Sequence, residues 1–451
     1  MTTTQIKPKL RTFDLTIIVI SLVIGMGIFR TPSEVAANAG TPTIFYLAWI
    51  SGCLVSLCGA LTFAEIGSRY PAAGGFYKIF SHCYSPRFAF MVNWITVISN
   101  AASVAAVAMI GSAYIAKMVF PEMPEHTASQ LISVAMIVVL LLVNLLGIKI
   151  SAKLLSGLMI LKIVLILILI SAAFFITKEY AATVAVAKPP VGHSPLKAFI
   201  LCFIPVFFTF GGYQLTINFG GDVKNPNRTI PRSIFVGIAV ILVLYLGINY
   251  SYMTVLGIDN LANSKTIAAD IVAVVAGPEM STVLSIIMFF AVITYVNVSI
   301  LANPRTYYAM AEDGVMPKSF MRVNEKTQVQ VVGVLVFCAF VLITLFFMDS
   351  FTKMLTYVMF FDSIALISAA ASIFILRKRA KGTAPQKDIY KFKGYPYLPA
   401  LFILVYAALN VSVFIANPEA FGYGALLFFS GLPLFYIIRR LIKANDEYEI
   451  D

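Results

Sequence analysis

Apolar stretches long enough to cross a bilayer recur along this chain from end to end, and nothing else in it constrains the fold as strongly. About 20 consecutive apolar residues cross the hydrocarbon core as a helix. Hydropathy predicts twelve such spans, at roughly 13–38, 41–68, 85–119, 128–148, 151–177, 197–221, 231–257, 281–311, 329–348, 352–377, 396–416 and 420–441. Between them no soluble domain of any size fits. Only 12% of the 451 residues are charged, against about a quarter in soluble proteins. The expectation is an all-α integral membrane protein. The opening Met-Thr-Thr-Thr, basic cluster and long apolar segment lack the short core and small-residue cleavage site of a signal peptide, so the first span is expected to stay.

The formal net charge of +12 would suggest nucleic acid only if its placement were ignored. Most of the 33 Lys and Arg fall in the N-terminus, the loops that follow even-numbered spans and the C-terminus. That bias predicts cytoplasmic termini under the positive-inside rule. The densest run, from Arg377-Lys378-Arg379 to Lys393, is then a cytoplasmic loop that anchors topology. Cys53, Cys58, Cys83, Cys202 and Cys338 are scattered, odd in number and without a CxxC pair. They read as small apolar residues rather than a disulfide framework or metal site.

Two spans are interrupted by glycine at matching places, in Ile24-Gly25-Met26-Gly27-Ile28-Phe29 and in Phe208-Thr209-Phe210-Gly211-Gly212-Tyr213. A break at that depth frees backbone groups, which are tolerated only where protein or a water-filled cavity satisfies them. Small residues also let helices pack closely. The matched positions favour the first reading, because paired interruptions in corresponding halves point to a transporter's midplane site. Spans one to five would then repeat as spans six to ten, inverted because five is odd. The expected divisions are an N-terminal segment 1–12, repeats at 13–177 and 197–377, a basic loop 378–395, two further helices in 396–441 and a tail 442–451. At each break, free N–H groups at a helix start would hold a carboxylate and free carbonyls would hold an ammonium or small cation. An α-amino acid carries both. The substrate-binding residues expected are Ile24, Gly25, Met26, Gly27, Phe208, Phe210, Gly211 and Gly212, with Phe208 as the gate over the substrate.

Two charged residues within the spans stand out. Lys162, near the middle of span five, costs roughly 2.5–3.5 kcal/mol on insertion scales and should face the interior with a partner. It could tether helices, or bond the carbonyls freed at the first break in place of a sodium ion. Burial penalises its charged form, so proton coupling is a further reading. Asp362, well inside span ten, could pair with Lys162, meet a substrate cation, titrate, or simply be a buried hydrogen-bonded acid. Asn249, Asn297, Ser299 and Asn303 put polar atoms in otherwise apolar helices, for interhelical bonding or for lining the cavity. Tyr245 and Tyr252 do the same. Glu65 and Arg69, four apart at the end of span two, read as an exposed pair of little energetic worth.

These stretches resemble the amino acid–polyamine–organocation superfamily, closest to its L-type amino acid transporter branch. Ile24 to Phe29 with Thr31-Pro32 is similar to that branch's broken first helix. Ala64-Glu65-Ile66-Gly67 with Gly74-Gly75 resembles the end of its second span. Phe208 to Tyr213, then Asp222 to Pro226 and Arg228 to Arg232, resembles its sixth span and the loop that follows. The resemblance covers nearly the whole chain. It implies a leucine-transporter-like five-plus-five inverted repeat with helices 1 and 6 broken. It also implies backbone recognition at the two breaks, a gating Phe208 and a Lys162 that replaces the sodium site. The chain departs from the family's pattern at Met26, where many members have Ser, at Leu22, in the 302–304 stretch and at Asp362. The loop between spans three and four has no cysteine, so no disulfide-linked heavy subunit is expected.

The expected function is sodium-independent amino acid transport across the inner (plasma) membrane by alternating access, as an exchanger or a proton-coupled importer. The alternatives are polyamine or organic-cation transport on the same fold, or a nutrient sensor that binds without transport. An enzyme is not expected. His82, His126 and His193 all fall in predicted loops, and no Ser–His–Asp, HExxH or metal-spaced cluster is visible. No cofactor, metal or nucleic acid is expected, and the oligomeric state is left open.

Overall fold

A computed structural model describes residues 10–72, 74–176, 194–347, 351–381, 389–416 and 418–448. Positions 1–9 of the N-terminal segment, His193, the middle of the basic loop and the last three residues of the tail lie outside the described residues. The first half contains α1 (Thr12–Val23), α2 (Gly27–Ala39), α3 (Pro42–Arg69), α4 (Gly75–Cys83), α5 (Pro86–Val119), α6 (Glu125–Leu145) and α7 (Ile148–Ser171). Then come α8 (Pro195–Leu201), α9 (Phe203–Phe210), α10 (Pro226–Asn263), α11 (Ile267–Ala276), α12 (Pro278–Ala302) and α13 (Pro304–Glu312). The last four are α14 (Val331–Phe347), α15 (Phe351–Ala380), α16 (Tyr397–Ala416) and α17 (Pro418–Tyr448).

Several starts are written in the local sequence. Thr41, Ser85 and Ser194 each precede a proline and accept a bond from a backbone N–H of the first turn, at 3.4, 3.2 and 3.4 Å. A hydroxyl cap followed by proline satisfies one orphan N–H and removes another. Gly40 ends α2 in the left-handed conformation, at φ 62°, as a helix C-terminus commonly does.

Eleven helical segments among the described residues are long and apolar enough to span a membrane. The twelfth expected span is represented by α14, whose 17 residues fall just short of that length. Leu142, Ile168, Val243, Leu404 and Phe429 point outward and are exposed, as lipid-facing residues must be. Among the described residues the only β pairing is an isolated bridge between Leu10 and Val223.

The helices form two groups. α1, α2, α3, α9 and α10 pack on one another, and α5, α6, α12 and α14 pack on one another. α7 touches α10 and α12, and α15 touches α3 and α5, so each lies against both groups. In span numbers the groups are one, two, six and seven, and three, four, eight and nine. Each group contains a span together with its counterpart five places on, the pairing that a repeat of five spans predicts.

On the side of the molecule that carries the N-terminus, Leu10 N–H donates to Asp222 at 2.9 Å and Leu10 C=O accepts from Lys224 at 2.9 Å. α4 lies across this side. Its Lys78 pairs with Glu312 at 2.7 Å and Asp313 at 2.5 Å, tying the segment after span two to the end of span eight. Glu65 corrects the sequence reading: it is fully buried, not part of an exposed helix-end pair. It accepts from Arg69 (2.6 Å), from two nitrogens of Arg377 (2.8 and 2.6 Å) and from the Phe392 N–H (3.2 Å). Arg377 in turn stacks over Tyr395, 3.9 Å from its ring centroid. The i,i+4 spacing with Arg69 was legible. The second arginine, more than three hundred positions away, arrives only because span ten crosses beside span two.

Candidate functional site

The two glycine segments do unwind, and they meet. α1 stops at Val23 and α2 starts at Gly27. α9 stops at Phe210, and the second half of that span continues as a short 3₁₀ turn, Tyr213–Asn218. The contacts are reciprocal. A Cβ on Gly27 would lie 3.1 Å from the Thr209 Cα, and one on Gly212 would run into the Leu22 carbonyl oxygen. Gly212 also has φ 115°, which disfavours any side chain. These glycines therefore serve close approach and unwinding together.

Three side chains hold the breaks. Lys162, buried in α7, donates from Nζ to the Ile24 carbonyl at 2.6 Å. The Tyr245 hydroxyl on α10 lies 3.0 Å from the Val23 carbonyl and 3.2 Å from that of Thr209, so one donor serves both broken helices. Gln214 turns back and accepts the Gly212 N–H at 2.9 Å. The Thr31 and Thr209 hydroxyls bond each other across α2 and α9. No side chain caps the start of α2, which leaves N–H groups of its first turn open.

A cavity lies where the breaks meet. Leu22, Val23, Gly25, Met26 and Gly27 from span one and Phe207, Phe208, Thr209, Gly211, Gly212 and Gln214 from span six form one wall. Asn100 and Ser103 from α5, Tyr295 from α12, Asp362 from α15 and Tyr406 from α16 contribute polar groups elsewhere. Phe208 also packs on Ala102, Ala106 and Val358, bridging span six to spans three and ten. A smaller cavity shares Asn100 and Leu215 with the first and extends toward the N-terminal side past Asn93, Thr96, Asn218 and Asn303.

Five expected site residues lie elsewhere. Phe210 points into an aromatic cluster with Trp49 and Tyr245, at centroid distances of 5.9 and 5.1 Å. Two positions along a helix turn the side chain by about 200°, so Phe208 and Phe210 cannot both face the cavity. Ile24 has both backbone groups occupied, its N–H by Ile20 and its carbonyl by Lys162. Asn297 accepts from Asn144 at 2.8 Å between helices. Asn249 donates to the Tyr245 carbonyl in its own helix at 2.7 Å. Ser299 is buried and lines neither cavity. Asn303 lines the smaller cavity and accepts from Asn100 at 2.6 Å. Asp362 is not paired with Lys162. Its one hydrogen bond among the described residues comes from Ser99, at 2.8 Å.

Asn100, Ser103 and Tyr295 were not legible as site residues. They are small or aromatic polar groups in apolar helices, of the same kind as several that prove structural. The Asn93, Thr96, Asn100 spacing, which keeps one face of α5 polar, is the signal that could have found Asn100. Among the described residues no group of His, Cys, Asp and Glu could hold a metal.

A family model described as amino acid permease matches residues 10–437. The serine/threonine exchanger SteT of Bacillus subtilis is 26% identical over 434 residues, 95% of this chain and 96% of that protein. The human Asc-type amino acid transporter 1 is 25% identical, covering 93% of this chain and 80% of its own length. The human large neutral amino acids transporter small subunit 2 is also 25% identical, with 93% and 78% covered.

Proposed function

The chain belongs to the amino acid permease family, and from that premise we propose how it carries an amino acid. It is a multi-pass membrane transporter of amino acids and not an enzyme. The observation that carries the mechanism is that both helix breaks open onto one cavity. The substrate carboxylate binds at the N–H groups that start α2, around Met26 and Gly27, the Gly25 N–H being held by the Val23 carbonyl, where the helix dipole is positive. The substrate ammonium binds at the carbonyls ending the facing half-helices, whose last turns lack intrahelical partners.

Transport proceeds by alternating access, with two five-span repeats at 13–177 and 197–377 moving around the fixed site. Phe208 is the outer gate. Its packing against Ala102, Ala106 and Val358 closes one side, while the smaller cavity at Asn100 and Leu215 supports a route toward the other. The N-terminal side is cytoplasmic, in keeping with its excess of Lys and Arg, and the protein resides in the plasma (inner) membrane. Lys162 supplies the positive charge at the first break, so transport is sodium-independent. It works as an exchanger or a proton-coupled importer, and without a disulfide-linked heavy subunit.

The test is uptake of a panel of labelled amino acids by purified protein in proteoliposomes, with amino acid or a pH gradient inside. Uptake in sodium-free buffer is expected. No uptake of any amino acid under either condition overturns the proposal. A second reading, transport of an organic cation or polyamine, is favoured by the presence of Asp362 in the cavity wall. Competition by amines lacking a carboxylate would support it. The free N–H groups at α2 would then have no anion to bind, so amino acids should compete far better than the matching amines.

A further inference from the structure

We propose that Asp362 selects the substrate's side chain, and that the transported amino acid carries a hydrogen-bond donor there, an ammonium or a hydroxyl, rather than a hydrocarbon end. The inference rests on the amino acid site proposed above and deepens it. The backbone at the two breaks provides for both charged ends of an α-amino acid. Asp362 lies on another element, α15, and contributes to the same cavity from outside the glycine segments.

Three observations carry the assignment. Asp362 is the only Asp, Glu, Lys or Arg among the described residues lining the cavity. Lys162, the sequence's candidate counter-charge, is committed to the Ile24 carbonyl and does not line it. Asp362 receives one bond, from Ser99, whereas a carboxylate can accept about four. A carboxyl group at membrane depth is costly unless something pairs with it, and Arg or Lys is absent from this wall. Its remaining acceptor capacity is available to a side chain that extends from the breaks into the cavity Asp362 lines. Asn100, Ser103 and Tyr295 flank it, and Ser103 and Tyr295 bond each other at 3.0 Å. A site of this kind discriminates strongly against an analogue that lacks the donor, because the buried acceptor is then left unpaired.

The experiment uses two near-isosteric pairs, threonine with valine and lysine with norleucine, in counterflow uptake by wild-type, Asp362→Asn and Asp362→Ala proteoliposomes. In the wild type the donor-bearing member of at least one pair should be favoured by about tenfold or more, equivalent to about 1.4 kcal/mol. Asp362→Ala should collapse that ratio to within roughly twofold. Asp362→Asn separates the two donors: preference for lysine is lost if charge is read, and preference for threonine is kept if an acceptor suffices. Ser99→Ala, which loosens the carboxyl group without removing it, should lower the same ratio and serves if the Asp362 variants fail to fold. Amino acid uptake with no discrimination in either pair, or a ratio unchanged in Asp362→Ala, overturns this inference and leaves the proposed function standing. No amino acid uptake at all overturns both.

Discussion

Replacing Lys162 with methionine separates what the lysine does for folding from what it does at the first break. The side chains are similar in length, so the packing of α7 changes little. The substitution removes the 2.6 Å bond from Nζ to the Ile24 carbonyl. A charge-assisted bond of this kind is worth roughly 1.5–3 kcal/mol net. Against that, the variant no longer buries an ammonium at membrane depth, which insertion scales set at roughly 2.5–3.5 kcal/mol. The two nearly cancel, so the melting temperature of the detergent-solubilised protein should move by no more than roughly 4 °C, about 1 kcal/mol in a mid-sized domain. Transport should not be spared. The brace acts on the Ile24 carbonyl beside the unwound Gly25, while Tyr245 continues to hold Val23. Losing about 2 kcal/mol from the braced arrangement alone corresponds to a roughly thirtyfold fall in rate. The assay is initial uptake in proteoliposomes, normalised to reconstituted protein, with choline in place of sodium. Retention of more than about half the wild-type rate, a difference well under 1 kcal/mol, would refute the reasoning. So would a wild-type requirement for sodium.

Three further outcomes follow from particular contacts. Gly212→Ala combines positive φ with a Cβ that would run into the Leu22 oxygen. Backbone strain alone costs about 1–3 kcal/mol, so size-exclusion profiles should show mostly aggregated protein, whereas Gly422→Ala, with nothing near its Cβ, should behave as wild type. Glu65→Ala leaves Arg69 and Arg377 without their shared carboxylate, and breaking a buried pair costs about 3–5 kcal/mol. A clear loss of thermal stability is expected, and an unchanged melting curve would contradict the buried placement of Glu65. Phe208→Ala removes the ring from Ala102, Ala106 and Val358. Preloaded substrate should then leak faster without exchange partner outside, and a leak rate equal to wild type would argue against a gate.

Much of the site was legible because the features that mark it are local. A glycine pair inside an apolar run announces unwinding wherever it occurs, since hydrocarbon cannot satisfy the freed peptide groups. A lysine in mid-span announces an interior partner for the same reason. The glycines at 25, 27, 211 and 212 and the bond from Lys162 to Ile24 were readable on those grounds. What was not legible has one origin. Asn249, Asn297 and Asn303 are chemically alike and similarly placed in their helices, yet one bonds its own backbone, one bonds Asn144, and one lines the smaller cavity. Phe210 turned into the Trp49 and Tyr245 cluster, and Glu65 acquired Arg377 from span ten.

The sequence by itself determined that the chain spans a membrane as apolar helices, which side carries the positive charge, and where two helices must break. Each follows from the cost of placing a given group in hydrocarbon, which a residue bears whatever its neighbours. Only the tertiary structure decided which polar side chains share a cavity with the breaks, that Tyr245 serves both of them, and that Asp362 rather than Lys162 lines that cavity. Those outcomes depend on how each helix is rotated about its axis and which helix crosses it, and a rotation of one or two residues' worth exchanges a buried tether for a cavity wall.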